Sequence, residues 1–144
     1  LPILRLPFSH VQIAEFSGPR PGDVVVLESP ESGIVLLKRV VAGPGDVVQV
    51  ERGQLLLNQK PVPIEKKDGT IIEDLGPGHG LRLDDGGGPD FGPVTVPAGR
   101  YLVLGDNRGN SRDGRYFGFV KREAILGHAV AVLAREGSLA WIGL

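Results

Sequence analysis

Two stretches of this 144-residue chain carry residue types that could do chemistry. The first is Gly105 to Val120, GDNRGNSRDGRYFGFV. It sets Asp106, Asn107, Arg108, Asn110, Ser111, Arg112, Asp113 and Arg115 between an apolar run, Tyr101 to Leu104, and a second apolar-aromatic run, Tyr116 to Val120. Asn and Asp side chains bond the backbone two residues on, and Gly109 and Gly114 can take positive φ, so the segment can hold a tight, self-bonded conformation. An ordinary turn-rich connection would have the same composition. The second stretch is Val35 to Val48, VLLKRVVAGPGDVV, in which Lys38 stands among apolar neighbours. A strand alternates its faces, so Lys38 lies with Leu36 and Val40 while Arg39 takes the other side. Apolar surroundings strip water from an ammonium, and desolvation lowers a lysine pKa toward the range where the neutral amine accepts protons. A strand-edge lysine whose stem snorkels to water fits the same residues. Lys60, Lys66, Lys67 and Lys121 sit in turn-like or charged contexts, which leaves Lys38 as the only lysine inside an apolar run.

Two other groups carry titratable side chains. Asp84, Asp85 and Asp90 with His79 lie among glycines, and carboxylates in such settings suit calcium, but their spacing matches no EF-hand loop. His128 reads as a strand surface residue, because a catalytic role would need an acidic partner and a nucleophile that the sequence does not place.

The elements that must position these residues read as β. At 41% hydrophobic content the chain is long enough to bury a core as one domain. Its 22 Gly and 12 Pro favour short strands and turns over helices. Candidate strands are Val24 to Glu28, Ile34 to Ala42, a hairpin of Val47 to Arg52 with Gln54 to Leu57 through Arg52-Gly53, Val94 to Val96, Tyr101 to Leu104, Tyr116 to Val120, and 127 to 133. Residues 65 to 93, charged and then glycine-rich, read as a small mobile insertion lobe or partly ordered loop between the core halves 1 to 64 and 94 to 144. The net charge of −1 leaves no nucleic-acid footprint, and the absence of Cys removes thiolate chemistry and disulfides. No apolar run approaches the roughly eighteen residues of a membrane-spanning helix. The apolar tail, Ser138 to Leu144, fits a lipid interface or a core cap equally well.

In order along the chain, Arg20-Pro21-Gly22-Asp23-Val24-Val25-Val26, Lys38-Arg39 with Pro44-Gly45-Asp46, Val94 to Tyr101 with its VP-x-G-x-Y-like lead-in, and Gly105-Asp106-Asn107-Arg108 through Ser111, Asp113 and Arg115 resemble the motifs of the bacterial type I signal peptidases. These are membrane-bound serine endopeptidases with a Ser-Lys dyad. The resemblance implies an all-β, signal-peptidase-like antiparallel core and no cofactor or metal. It implies Lys38 as general base, Ser111 as the hydroxyl that orients its amine, and an Asp113–Arg115 ion pair holding the Ser111 loop, with Asp106 and Arg108 fixing its other end. Ile34, Leu36 and Leu37 would line a groove for signal peptides of exported preproteins, at the extracytoplasmic face of the cell membrane, anchored by an upstream segment.

Two departures qualify the resemblance. Gly114 stands where the family usually has serine. The family's nucleophile box, S-M-x-P-T-L, does not occur, since the chain contains no Met at all. The opening Leu6-Pro7-Phe8-Ser9-His10 resembles the segment that follows that box, so the expectation is a fragment beginning after the nucleophile, inactive on its own. Ser9 and Ser17 lack the box's context. A rival reading of the same residues is a non-enzymatic β domain that keeps the fold and groove for binding.

Overall fold

Short β-branched runs between turn residues set the element order. The computed structural model describes residues 3–6, 9–14, 18–76, 78–130, 132–133 and 139–140, with side chains from 18 to 76 and 78 to 129. The strands are β1 (Ile3–Leu6), β2 (Ser9–Ala14), β3 (Val24–Glu28), β4 (Val35–Ala42), β5 (Val47–Glu51), β6 (Gln54–Leu57), β7 (Lys60–Pro61), β8 (Ile64–Lys67), β9 (Thr70–Asp74), β10 (Gly78–Leu81), β11 (Phe91–Thr95), β12 (Arg100–Leu104), β13 (Val120–Lys121), β14 (Ile125–Val130), β15 (Val132–Leu133) and β16 (Leu139–Ala140). One four-residue helix, α1 (Gly114–Phe117), precedes β13. The fold is thus an all-β antiparallel one.

The main sheet runs β1-β2-β14-β3-β4-β12-β13, and a second sheet runs β11-β5-β6-β7. Turn chemistry closes the hairpins. Arg52 and Gly53, at φ 51 and 81, join β5 to β6 with the double positive φ of a type I′ turn, the hand that matches strand twist. A side chain at residue 53 would also meet Arg108 and Gly87 within 3.0 Å, so this glycine serves both the turn and the packing beside it.

β4 and β12 bury both of their faces. Val41, Ala42, Leu102 and Leu104 enter one core cluster with Val48, Val50, Leu55 and Val96. Val40 and Val103 enter another with Val25, Leu27, Val120 and Ile125. A strand buried on both sides reads as a continuous apolar run, and this is why Ile34 to Ala42 lacks alternation. Against that background Lys38 and Arg39 are the two charges the core must accommodate.

Residues 64–81 form a separate three-stranded sheet, β8-β9-β10. The chain then returns through a turn at Asp84–Gly87, and β11 pairs with β5 from Phe91 onward. One expectation needs correction. Tyr116 to Val120 is not a strand: Asp113 caps the backbone NH of Arg115, α1 follows, and Gly118 at φ 80 ends it before β13. Aspartate at the start and glycine at the end override the aromatic β-propensity. His128 is half-buried in β14. The side chains of the opening segment, Ser9 and Ser17 included, and of the 138 to 144 tail lie outside the described residues.

Leu55 is 1% exposed and packs in the first cluster, whereas Ile64 is 40% exposed. Leu55→Ala should therefore cost roughly 2–5 kcal/mol, and Ile64→Ala under about 1 kcal/mol, in urea unfolding. Equal costs would contradict the assignment of the core.

Candidate active site

Register brings the two chemical stretches together. Leu104, the last residue of β12, pairs with Arg39, so the segment that follows must leave the sheet beside the Lys38-Arg39 end of β4. It then reaches both faces of that strand: Asp106 meets Arg39 on one, and Ser111 meets Lys38 on the other.

Lys38 is 7% exposed, and its Nζ donates to Ser111 Oγ at 3.1 Å. Burial pulls the lysine pKa below its ordinary value, Arg115 adds to the effect, and Asp113 and Asp106 oppose it. The approach depends on Gly105. A Cβ there would collide with Ser111 Oγ and lie 3.4 Å from Lys38 Nζ. The Gly105 backbone NH donates to Asp113 Oδ2 at 3.0 Å, which ties the start of the segment to its end.

Three ion pairs hold the segment. Arg39 binds Asp106 through Nε at 2.9 Å and Nη2 at 2.8 Å, and gives Nη1 to Gly22 O at 2.7 Å. Arg115 binds both oxygens of Asp113 at 3.0 Å and reaches Gly87 O and Arg108 O. Arg108, wholly buried, binds Glu73 at 2.7 and 3.1 Å and the carbonyls of Gly105 and Gly53 at 2.8 Å each. Burial pushes the Asp113 carboxyl upward, but hydrogen bonds from Arg115, Gly105 and Ser111 and the Arg115 charge outweigh it, leaving the carboxyl below its usual range. Burial likewise pushes Glu73 upward, and the adjacent His79 with the charge and hydrogen bonds of Arg108 outweighs it, leaving the carboxyl lowered.

Asp113 and Arg115 pair with each other, and Asp106 and Arg108, expected at the other end of the segment, reach outward to Arg39 and Glu73. Glu73 had no signal, because a carboxylate in a hairpin strand ordinarily faces water. Arg39 was visible only as the neighbour of Lys38. The calcium-like group disperses: Asp84 pairs with Arg82, Asp90 accepts from the Arg52 NH, and His79 lies against Glu73 and Asp106. Among the described residues no three such donors gather as a metal site.

Along β4, Ile34 precedes the strand and is 60% exposed, Leu36 packs against the second core cluster, and Leu37 is buried. Pairing with β3 covers Val35 to Arg39, whereas pairing with β12 begins only at Arg39. Val35 to Lys38 is therefore paired on one side. At the rim, Arg112 stacks on Tyr116 at 4.6 Å and forms a two-point ion pair with Glu31, in the turn before β4.

A family model described as signal peptidase, peptidase S26, matches residues 7–134. The chain belongs to this family. It is 35% identical over 125 residues to the signal peptidase I of Leptolyngbya laminosa, covering 80% of this chain and 53% of that one. It is 38% identical over 109 residues to signal peptidase I T of Bacillus subtilis, covering 74% and 52%. The chain spans about half the length of these curated relatives. The crystal structure of a signal peptidase I from Enterococcus faecalis superposes with a TM-score of 0.56 at 28% identity, over 81% of this chain and 98% of that one.

The lowered carboxyls fix a pH dependence of stability. A group whose folded pKa is depressed contributes stability above its unfolded pKa, near 4, and that contribution is lost as pH falls through the folded value. Between those values the unfolded chain binds the proton and the folded one does not. Asp113→Asn should thus cost about 3–5 kcal/mol at pH 7, by stranding Arg115, and flatten the loss of stability below pH 4. An unchanged acid limb in chemical denaturation would contradict the assignment. Gly105→Ala should cost roughly 1–3 kcal/mol by forcing Ser111 from Lys38, measured the same way.

Proposed function

We propose that this chain is the catalytic core of a type I signal peptidase, a Ser-Lys serine endopeptidase that removes leader peptides from exported preproteins. The observation that carries this is the buried Lys38 amine, its pKa lowered by desolvation, held by Ser111. A neutral Lys38 would take the proton from a serine hydroxyl as that oxygen attacks the scissile carbonyl. The resulting ammonium would then pass the proton to the departing amine, leaving an acyl-serine ester for water to hydrolyse. Ser111 would orient the amine, with the Asp113–Arg115 and Asp106–Arg39 pairs and Arg108 as the frame around it.

The nucleophile would be the serine of a Ser-Met-x-Pro-Thr-Leu box, a pattern that does not occur in a sequence without Met. The chain is accordingly the base-bearing part of the dyad. The one-sided pairing of Val35 to Lys38 supports a groove in which an extended leader peptide adds as a strand, with Ile34, Leu36 and Leu37 around it. Residues 1 to 64 and 94 to 144 are proposed as the core and 65 to 93 as an insertion. The site of action would be the extracytoplasmic face of the bacterial membrane, with neither cofactor nor nucleic acid as partner.

The 144-residue chain should leave a leader peptide intact, while a parent chain carrying the Ser-Met-x-Pro-Thr-Leu box should cut it and lose that activity on Lys38→Ala. Its rate should rise with pH through the lowered Lys38 pKa, since the ammonium cannot accept a proton. In the 144-residue chain, the same peptide should shift the amide signals of residues 33 to 38. Hydrolysis by the 144 residues that falls with Ser9→Ala or Ser17→Ala would place the nucleophile there instead. Peptide binding without cleavage by the box-bearing parent would favour a non-enzymatic binding domain.

A further inference from the structure

We infer that Glu73 and His79, both on the β8-β9-β10 sheet, are positioning residues for the base at Lys38, clamping the two ends of the segment that carries Ser111. The inference rests on the reading of Lys38 as the base.

Glu73 is the one buried residue of β9 and is wholly removed from water. A carboxylate in that state needs a cation, and the cation it has is Arg108. The linkage continues from there by hydrogen bonds. Arg108 donates to Gly105 O, and its own carbonyl accepts from Arg115 Nη2 at 2.8 Å. Arg115 holds Asp113, Asp113 holds the NH of Gly105, against which Ser111 packs, and Ser111 bonds Lys38.

His79 supplies the other branch. It stands directly across from Glu73 in the β9–β10 register, with Nε2 3.0 Å from Glu73 Oε1 and 3.8 Å from Asp106 Oδ1. Asp106 is gripped by Arg39, the neighbour of Lys38. The charged groups facing His79 are thus the carboxylates of Glu73 and Asp106, each already bound by an arginine. Its ring is buried, and neither nitrogen makes an in-line hydrogen bond among the described residues. A buried, poorly satisfied imidazole costs stability. An apolar side chain would fill the same space more cheaply, so packing alone does not account for a histidine between two carboxylates.

Backbone pairing fixes the register of the clamp. The chain leaving β10 forms a parallel bridge with the segment, Arg82 N to Asp106 O and Arg108 N to Arg82 O, both at 2.9 Å. The insertion sheet is therefore tied to residues 106 to 108 by main chain as well as by charge.

The test uses the 144-residue chain with 13C-labelled lysine, titrated as wild type, His79→Gln, His79→Asn, Glu73→Gln and the remote core variant Val96→Ala. The inference expects Lys38 to move up toward its ordinary value by at least about half a pH unit in the His79 variants, as Ser111 loosens and water reaches the amine, with Val96→Ala leaving it in place. In the box-bearing parent, His79→Gln should lower kcat with KM held and move the pH–rate profile by the same amount. Should Glu73→Gln fail to fold, the two His79 variants still decide. A Lys38 lowered in the wild type but unmoved by either His79 variant overturns the inference alone. A Lys38 at its ordinary value in the wild type overturns the catalytic reading and the inference with it.

Discussion

The structure depends on one electrostatic balance: a buried amine lies beside two carboxylates, and its desolvation outweighs their pull on its pKa. Asp106 and Asp113 both raise the pKa of Lys38, and unpaired they would fix it as an ammonium. Each is instead engaged at two points by an arginine, Asp106 by Arg39 and Asp113 by Arg115. With the carboxylates compensated, desolvation is left as the largest influence on the amine. The arginines thus do more than brace a loop. They let the carboxylates position Ser111 and Lys38 while limiting the negative field they impose.

That balance explains much of the fold around it. Guanidinium–carboxylate pairs of this kind can bind in a planar, two-point manner, which constrains direction as well as distance. Such geometry requires rigid surroundings, and the β4–β12 pairing within two core clusters supplies them. Close approach requires missing side chains, and Gly105, Gly109 and Gly53 stand where a Cβ would strike Ser111, Asp84 or Arg108. Buried ion pairs are poor sources of net stability, because desolvation offsets most of the attraction. Three of them within one short segment indicate geometry, not stability, as what they secure.

The sequence makes part of this legible, for physical reasons. Strands such as Val24 to Glu28 and the Arg52-Gly53 hairpin are local decisions, made by β-branched runs and positive-φ turn residues, and they stand as read. Lys38 is legible because a charge inside an apolar run is anomalous wherever it occurs. Its proximity to Ser111, 73 positions away, was suggested only by family resemblance. The strand expected at Tyr116 to Val120 failed because the Asp113 cap depends on where that side chain points. Glu73 and His79 were illegible: strand alternation places a residue on a face, but only the tertiary arrangement says that the face is covered by Arg108.

The central claim is most directly tested by a 13C NMR titration of the five lysines in the unmodified chain. Lys38 is buried, whereas Lys60, Lys66, Lys67 and Lys121 are exposed, so its signal can be assigned by comparison with Lys38→Arg. The account predicts that Lys38 titrates clearly below the ordinary lysine value of about 10.4. A Lys38 that titrates at or above that value would mean that Asp106 and Asp113 hold the amine charged despite their arginines, and the account of this site as a base would be wrong.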